Sequence, residues 1–131
     1  MAHGSVWSVS DLRGDVAGAD CLFCRIVAGE IPSTAVASSD STYAFRDIDP
    51  GAPVHVLIVP RTHITSAAEL TPEHGQLLAE MVTTAQEVAA SEGIDASGYR
   101  LVFNVGDDAA NAVPHLHLHV LGGRQMDWPP G

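Results

Sequence analysis

The hydrophobic pattern along the chain predicts two helices. Apolar residues recur at helical spacing just after Asp20, a candidate N-cap, so we expect a short helix between residues 20 and 29. A longer helix is predicted from Thr71, a good N-cap, to Gly93, a typical C-terminal residue. Its buried face is predicted to consist of Leu77, Leu78, Met81, Val82, Ala85, Val88 and Ala89.

Short apolar runs between these helices and after them predict a sheet. Strands are expected at 35–37, 43–47, 55–59, 100–105 and 116–121. Asp49, Pro50 and Gly51 are turn residues between the second and third runs. About five strands and two helices in this order predict an α+β fold with a mostly antiparallel sheet.

The 131 residues suit one domain. Residues 1–19 are mostly small and polar without a sustained period, so we predict a flexible N-terminal leader there. The folded domain is predicted to extend from residue 20 to residue 131. An apolar content of 46% and a charged content of 17% are typical of a globular domain with a real core.

The charge balance excludes several classes of partner. Six arginines and no lysine stand against 16 acidic residues, which gives a net charge of −10. Because cationic side chains supply most of the affinity for phosphate backbones, we expect no nucleic acid polymer as a partner. No apolar run is long enough to span a bilayer and no secretory signal is visible, so we expect no membrane association and a cytoplasmic protein.

Three alternate histidines, His115, His117 and His119, carry the strongest chemical signal. In a regular strand they would share one face, with successive rings about 6.6 Å apart, and an apolar set would lie behind them. A lone histidine in a strand is more often structural than catalytic. Three on one face are hard to explain by packing, because burying each of them costs desolvation. The row therefore favours a ligand-binding site.

Cys21 and Cys24 form a Cys-x-x-Cys pair, which by itself leaves three readings open. The pair is compatible with redox chemistry, with a zinc site or with two free thiols on a helix.

Several blocks of the sequence resemble the histidine-triad (HIT) family. The block at 114–120, Pro-His-Leu-His-Leu-His-Val, is similar to the triad motif, and the tail at 122–131 is similar to that of the Hint-like branch. Further similar blocks lie at 21–32, 44–48 and 53–64. The resemblance covers residues 20–131 and implies a HIT-like fold.

The resemblance implies hydrolysis of a purine nucleoside 5′-monophosphate amide or ester at the α-phosphorus. His117 would attack phosphorus and form a nucleotidyl-histidine intermediate, with its second nitrogen held by the backbone carbonyl of His115. His119 and His55 match positions that contact phosphate oxygens or the leaving group. The implied catalytic set is therefore His55, His115, His117 and His119.

The resemblance also implies a nucleotide-binding set. Asp47 would hold the ribose hydroxyls, apolar side chains would enclose the base, and Asn104 would lie beside the phosphate. The full set is Leu22, Phe23, Ile26, Ile31, Asp47, Ile48, Asn104, Asn111 and Val113. One position departs from the Hint-like pattern, because Ala112 stands where a hydroxyl residue is usual; the Asn111 amide is a candidate substitute.

Related proteins hold a structural zinc through positions that match Cys21, Cys24, His63 and His115, so a zinc site is expected here. The resemblance further implies a homodimer. Two alternatives stay open: hydrolysis of dinucleoside polyphosphates, and a nucleotide-binding or zinc-stabilised interaction module with little turnover.

Overall fold

A computed structural model describes residues 20–131, and the predicted leader at 1–19 lies outside the described residues. The two α-helices are α1 (Leu22–Val27) and α2 (Gly75–Ser91). The five strands are β1 (Ala35–Ser38), β2 (Thr42–Arg46), β3 (Val54–Pro60), β4 (Tyr99–Val102) and β5 (Leu118–Gly122). Among these residues, no helix combines the length and apolarity needed to cross a membrane.

The strands form one antiparallel sheet in the order β1-β2-β3-β5-β4, which confirms the predicted α+β fold. The central strand β3 is buried on both faces, since successive side chains of a strand point to opposite sides. Val56 and Ile58 join the core beneath α2, whereas Leu57 and Val59 pack in a second cluster with α1. The two helices therefore cover opposite faces of the sheet.

The predicted helix starts need correction. Cys21, not Asp20, is the N-cap of α1: its sulfur accepts a hydrogen bond from the Cys24 backbone N–H, and Asp20 is exposed. Thr71 begins a short 3-10 turn, Pro72–His74, and the α-helix proper starts only at Gly75. Leu78 of the predicted stripe lies outside the core, with 36% of its surface exposed.

The last two strands are shorter than predicted, and the strand prediction for residues 116 and 117 is wrong. The chain bends at 113–115, where the His115 N–H donates to the Val113 carbonyl. Leu116 then donates its N–H to the Ile64 carbonyl instead of to β3. β4 ends at Val102, which pairs with His119, one residue after the start of β5 at Leu118.

Candidate active site and metal site

A cavity of about 310 Å³ lies between α1, the chain that follows β2, and the segment that leads into β5. One wall is apolar and comes from α1 and the sheet. Polar groups, among them Asp47, Asn104, His117 and His119, also line the cavity. The remaining lining residues are Leu22, Phe23, Ile26, Pro32, Ser33, Phe45, Arg46, Ile48, Asp49, Leu57, Ala110, Ala112 and Val113.

His117 is held as a neutral ring with a free lone pair. Its Nδ1 lies 2.7 Å from the backbone oxygen of His115. A carbonyl can only accept, so the proton of the neutral ring is on Nδ1 and the lone pair is on Nε2. Burial lowers the pKa of His117, which keeps the ring unprotonated at neutral pH. An imidazole in this state is a nucleophile.

A chain of hydrogen bonds assigns the tautomers of His55 and His119. The Gly51 N–H donates to His55 Nδ1 at 2.8 Å, so the proton of neutral His55 is on Nε2. That Nε2 lies 2.8 Å from His119 Nδ1 and 3.3 Å from an Asp47 carboxylate oxygen. His119 therefore accepts at Nδ1 and carries its own proton on Nε2. The Asn104 side-chain amide lies 3.3 Å from this Nε2, and with the proton there the amide turns its oxygen, not its NH2 group, towards the ring.

His119 stays neutral in the ligand-free protein. Burial, followed by the neighbouring rings of His117 and His55, lowers the pKa of His119 to about 4. Burial also lowers the pKa of His55, although Asp47 and Asp49 act in the opposite direction. A bound anion would raise both pKa values, because it favours the protonated rings.

Asp47, His55 and His119 are also close enough together to ligate a metal ion. The tautomer of His55 argues against it. His55 would have to ligate through Nε2, yet the Gly51 N–H occupies Nδ1 and places the proton on Nε2. The three side chains are better described as a hydrogen-bonded relay that ends at the cavity.

A second group, Cys21, Cys24, His63 and His115, has the donor set of a structural zinc site. His115 Nδ1 lies 3.2 Å from the Cys21 sulfur and 3.5 Å from the Cys24 sulfur, and His63 Nδ1 lies 3.5 Å from the Cys24 sulfur. Ligand atoms around a tetrahedral zinc with ordinary bond lengths are about 3.6 Å apart. The spacing therefore fits a zinc ion.

The surroundings of the Cys/His group agree with this fit. His115 Nε2 lies 3.0 Å from the Pro60 carbonyl, which places the ring proton there and leaves Nδ1 free to ligate. His63 Nε2 is buried without a hydrogen-bond partner in the described part of the chain. Without a cation, burial raises the pKa of the Cys21 thiol to about 11. A bound zinc would reverse that effect by favouring the thiolate.

The structure splits the predicted histidine row. His117 and His119 line the cavity, with ring centroids 5.0 Å apart. The His115 side chain is fully buried in the Cys/His group, and only its backbone oxygen reaches the cavity site. The expectation of three rings on one strand face is wrong, because the bend at 113–115 turns His115 away before β5 begins.

Most of the predicted nucleotide-binding residues come together, and some do not. The cavity is lined by Leu22, Phe23, Ile26, Asp47, Ile48, Asn104 and Val113 from that set. Ile31 and Asn111 are absent from the lining, and His55 lies behind His119.

Sequence reasoning missed other lining residues, among them Ser33, Arg46 and Asp49. Arg46 and Asp49 flank the predicted Asp47–Ile48 pair, so proximity in sequence could have found them. Ser33 has no comparable signal.

Comparison with known proteins gives a consistent result. Residues 28–126 match the family model described as the HIT domain. The chain is 43% identical over 114 residues to the 14 kDa zinc-binding protein of Brassica juncea, which covers 86% of this chain and 100% of that protein. It is 43% identical over 112 residues to the adenylylsulfatase HINT1 of Arabidopsis thaliana, which covers 84% of this chain and 76% of that protein. A solved HIT family hydrolase from Legionella pneumophila superposes with a TM-score of 0.83 at 50% identity, covering 85% of this chain and 99% of the other.

Proposed function

Because the chain belongs to the HIT domain family, we propose that it hydrolyses amides or esters of purine nucleoside 5′-monophosphates at the α-phosphorus. The observation that carries the proposal is the state of His117. Its Nδ1–H donates to the His115 carbonyl, so the lone pair is on Nε2 of a ring that lines the cavity. A neutral imidazole held in this way can attack phosphorus at neutral pH.

The first step breaks the bond between phosphorus and the leaving group. His117 Nε2 forms a bond to phosphorus, and the departing amine or alkoxide takes a proton from His119. The phosphate of the bound substrate raises the pKa of His119, so the ring gains the proton that it lacks in the ligand-free protein. The products of this step are the free leaving group, neutral His119 and a nucleotidyl group on His117.

The second step releases the nucleotide. Water attacks phosphorus, gives its proton to His119, and displaces Nε2 of His117. The nucleoside monophosphate leaves, and proton loss from His119 restores the starting state. Two displacements with His117 as the intermediate carrier replace one difficult attack by water.

The cavity supports a nucleoside as the bound group. Its volume of about 310 Å³ is in the range of small-molecule sites. Leu22, Phe23 and Ile26 offer apolar surface for a base, while the Asp47 carboxylate can accept hydrogen bonds from two ribose hydroxyls. The neutral donors His119 and Asn104 suit a phosphate in a chain whose net charge is negative.

One observation favours a second substrate, a nucleoside 5′-phosphosulfate. Ala112 lines the cavity and carries no hydroxyl that could donate a proton to a departing amine. Sulfate needs no such proton, because it is a stable anion. The relative from Arabidopsis thaliana is named an adenylylsulfatase, which is in line with this choice.

A test of the main proposal compares AMP release from adenosine 5′-phosphoramidate by the wild-type protein and by His117→Ala. We expect the variant to lose about 10³-fold or more of the turnover, as when other covalent nucleophiles are removed. His74→Ala is the matched control, since this histidine lies on the turn before α2 and outside the cavity.

Wild-type turnover in His117→Ala would rule out His117 as the nucleophile. Binding of AMP without any turnover of amide or sulfate by the wild-type protein would favour an interaction module. The same assay with adenylyl sulfate decides between the two substrate classes, and with a dinucleoside polyphosphate it tests the remaining alternative.

We also propose that the Cys/His group binds one structural zinc, which would link α1 to the segment before β5. The proposed assembly is a homodimer. Its support is Trp128, which is 84% exposed in the single chain and has an indole that a partner could cover. The cytoplasmic location stays a prediction from the sequence.

A further inference from the structure

We infer that the Cys/His group and the cavity are coupled, so that metal binding at the first tightens nucleotide binding at the second. This inference rests on the proposed function for the cavity itself. The reason for coupling is that the two sites are built from the same residues and backbone segments. Three structural links carry it.

The first link is His115, whose two ends serve different sites. Its ring contributes Nδ1 to the Cys/His group, while its backbone oxygen accepts the Nδ1–H of His117 at 2.7 Å. A metal bond to the ring fixes the position of this residue and therefore of its carbonyl. His115 is thus a positioning residue that sets the ring orientation and tautomer of His117.

The second link is α1. Cys21 and Cys24 lie at its start and first turn, and the residues between and after them, Leu22, Phe23 and Ile26, line the cavity. The helix has only six residues, too few to be stable without outside contacts. Holding its two cysteines therefore holds the apolar wall against which a base would stack.

The third link is the Phe23 ring, which contacts both sites at once. It lies edge-on to His115 at a centroid distance of 5.9 Å and edge-on to His117 at 5.1 Å. A movement of α1 that follows loss of the metal would change both contacts together.

The segment that carries His115 and His117 lies outside the sheet ladder. Leu116 is tied by its N–H to the Ile64 carbonyl, and regular pairing begins only at Leu118. The buried side chains of His115 and Leu116 therefore anchor this segment, and His115 is the anchor that a metal would reach. A metal bond to His115 would order this segment before the nucleotide binds. Nucleotide binding then costs less conformational entropy, so the two binding events favour each other.

Thermodynamic linkage makes the inference quantitative. If metal raises nucleotide affinity by some factor, nucleotide must raise metal affinity by the same factor. Couplings between sites are typically 5- to 150-fold, and we expect about tenfold here.

The experiment measures binding of adenosine 5′-monophosphate to the full-length protein, zinc-loaded and metal-free, by titration calorimetry. Zinc affinity is then measured by competition with a coloured chelator, with and without the nucleotide. We expect about tenfold tighter nucleotide binding in the loaded form and the same factor in the zinc affinity. Val88→Ala is the control, because it loosens the core under α2 without touching either site, and its coupling factor should equal that of the wild type.

A cobalt-loaded sample covers the case in which the metal-free chain does not fold. Cobalt in a site with two sulfur and two nitrogen ligands absorbs visible light, and the bands report ligand geometry. We expect the nucleotide to shift these bands.

The coupling is overturned if the zinc-loaded and metal-free proteins bind the nucleotide with affinities that agree within twofold. It is also overturned if the cobalt bands stay unchanged when the nucleotide binds. Either result leaves the proposed function intact. Failure of the loaded protein to bind the nucleotide at all would overturn both.

Discussion

At the scale of single residues, the hydrogen-bond partner decides what each histidine can do. The His115 carbonyl gives His117 a free Nε2, the Gly51 N–H gives His55 a protonated Nε2, and the Pro60 carbonyl leaves Nδ1 of His115 free to ligate. In the proposed function, three chemically identical side chains would thereby serve as a nucleophile, a proton relay and a metal ligand. Backbone groups make all three assignments.

The alternation of the sequence identifies these residues but not their division between two sites, which only the family resemblance anticipated by placing His115 in the zinc set as well. A Pro-His-x-His-x-His pattern predicts a row on one strand face, since alternation is the property that strands show in sequence. The bend at 113–115 breaks that alternation, and Pro114, which has no N–H for a ladder, is its sequence signal. The orphaned N–H of Leu116 then finds the Ile64 carbonyl, a partner 52 positions away that no local pattern indicates.

The depressed pKa of His119 predicts a pH-dependent stability. The unfolded chain takes up a proton near the ordinary pKa of 6.5, whereas folded His119 stays neutral down to about pH 4. Acidification from pH 6.5 towards 4 therefore favours the unfolded state, and stability is fully present above pH 6.5. The two pKa values alone correspond to about 2 kcal/mol between pH 7 and 5, and solvent screening of the partly exposed ring reduces this. We therefore expect the free energy of unfolding of the wild type to fall by about 1 kcal/mol more over this range than that of His119→Gln, as measured by urea titration.

The comparison of the two proteins cancels the contribution of titrating groups that do not interact with His119, because both chains share them. Parallel pH profiles for the two proteins would contradict the environment that the structure gives His119.

At the scale of elements, α1 is the shorter of the two described α-helices, and it serves several purposes. It caps itself through a cysteine sulfur, covers one face of the sheet, and forms a wall of the cavity. The apolar spacing predicts its existence but not its cap. Asp20 is a better N-cap by preference than Cys21, yet Cys21 is the N-cap, and its sulfur also lies 3.2 Å from His115 Nδ1.

Because α1 carries two of the four residues in the Cys/His group, the proposed zinc site leads to a prediction about metal content. Protein purified without chelator should contain close to one zinc per chain by elemental analysis, and Cys24→Ser should contain much less, because one of four ligands loses its sulfur. Removing the metal from the wild type should lower the melting temperature, and adding zinc should restore it. A zinc content near zero in both proteins would contradict the site.

The strand boundaries depend on pairing that spans the whole chain. Residues 103–105 read as strand, since Phe103 and Val105 are good strand formers. They lie outside the sheet because pairing between β4 and β5 ends at Val102 and His119, and β5 itself extends only one residue further, to Leu118, before the bend. Local apolar runs were enough to predict that the five strands exist. The lengths of the last two strands were not predictable, because they depend on this long-range pairing.

At the scale of the whole molecule, the single chain leaves apolar surface uncovered. Trp128 is 84% exposed and Leu101 on the edge strand β4 is 37% exposed. A stable interface would need to cover about 1,200–2,000 Å² in total. We therefore expect the wild-type protein to sediment as a dimer in analytical ultracentrifugation.

Trp128→Ser should weaken that dimer, so the variant should contain more monomer than the wild type at equal protein concentration. Leu78→Ser on α2 is the control: it also removes exposed apolar surface, and it should leave the dimer unchanged. A wild-type protein that sediments as a monomer at micromolar concentration would contradict the proposed assembly.

The central claim is that His117 carries the nucleotidyl group between two displacements, and the stereochemical course at phosphorus tests it most directly. The substrate is an adenosine 5′-phosphoramidate made chiral at phosphorus with sulfur, and the reaction is run in oxygen-18 water. Two in-line displacements, first by His117 and then by water, each invert phosphorus, so the account predicts overall retention. Overall inversion would mean that water attacks the substrate directly, and it would contradict the account even if His117→Ala is inactive.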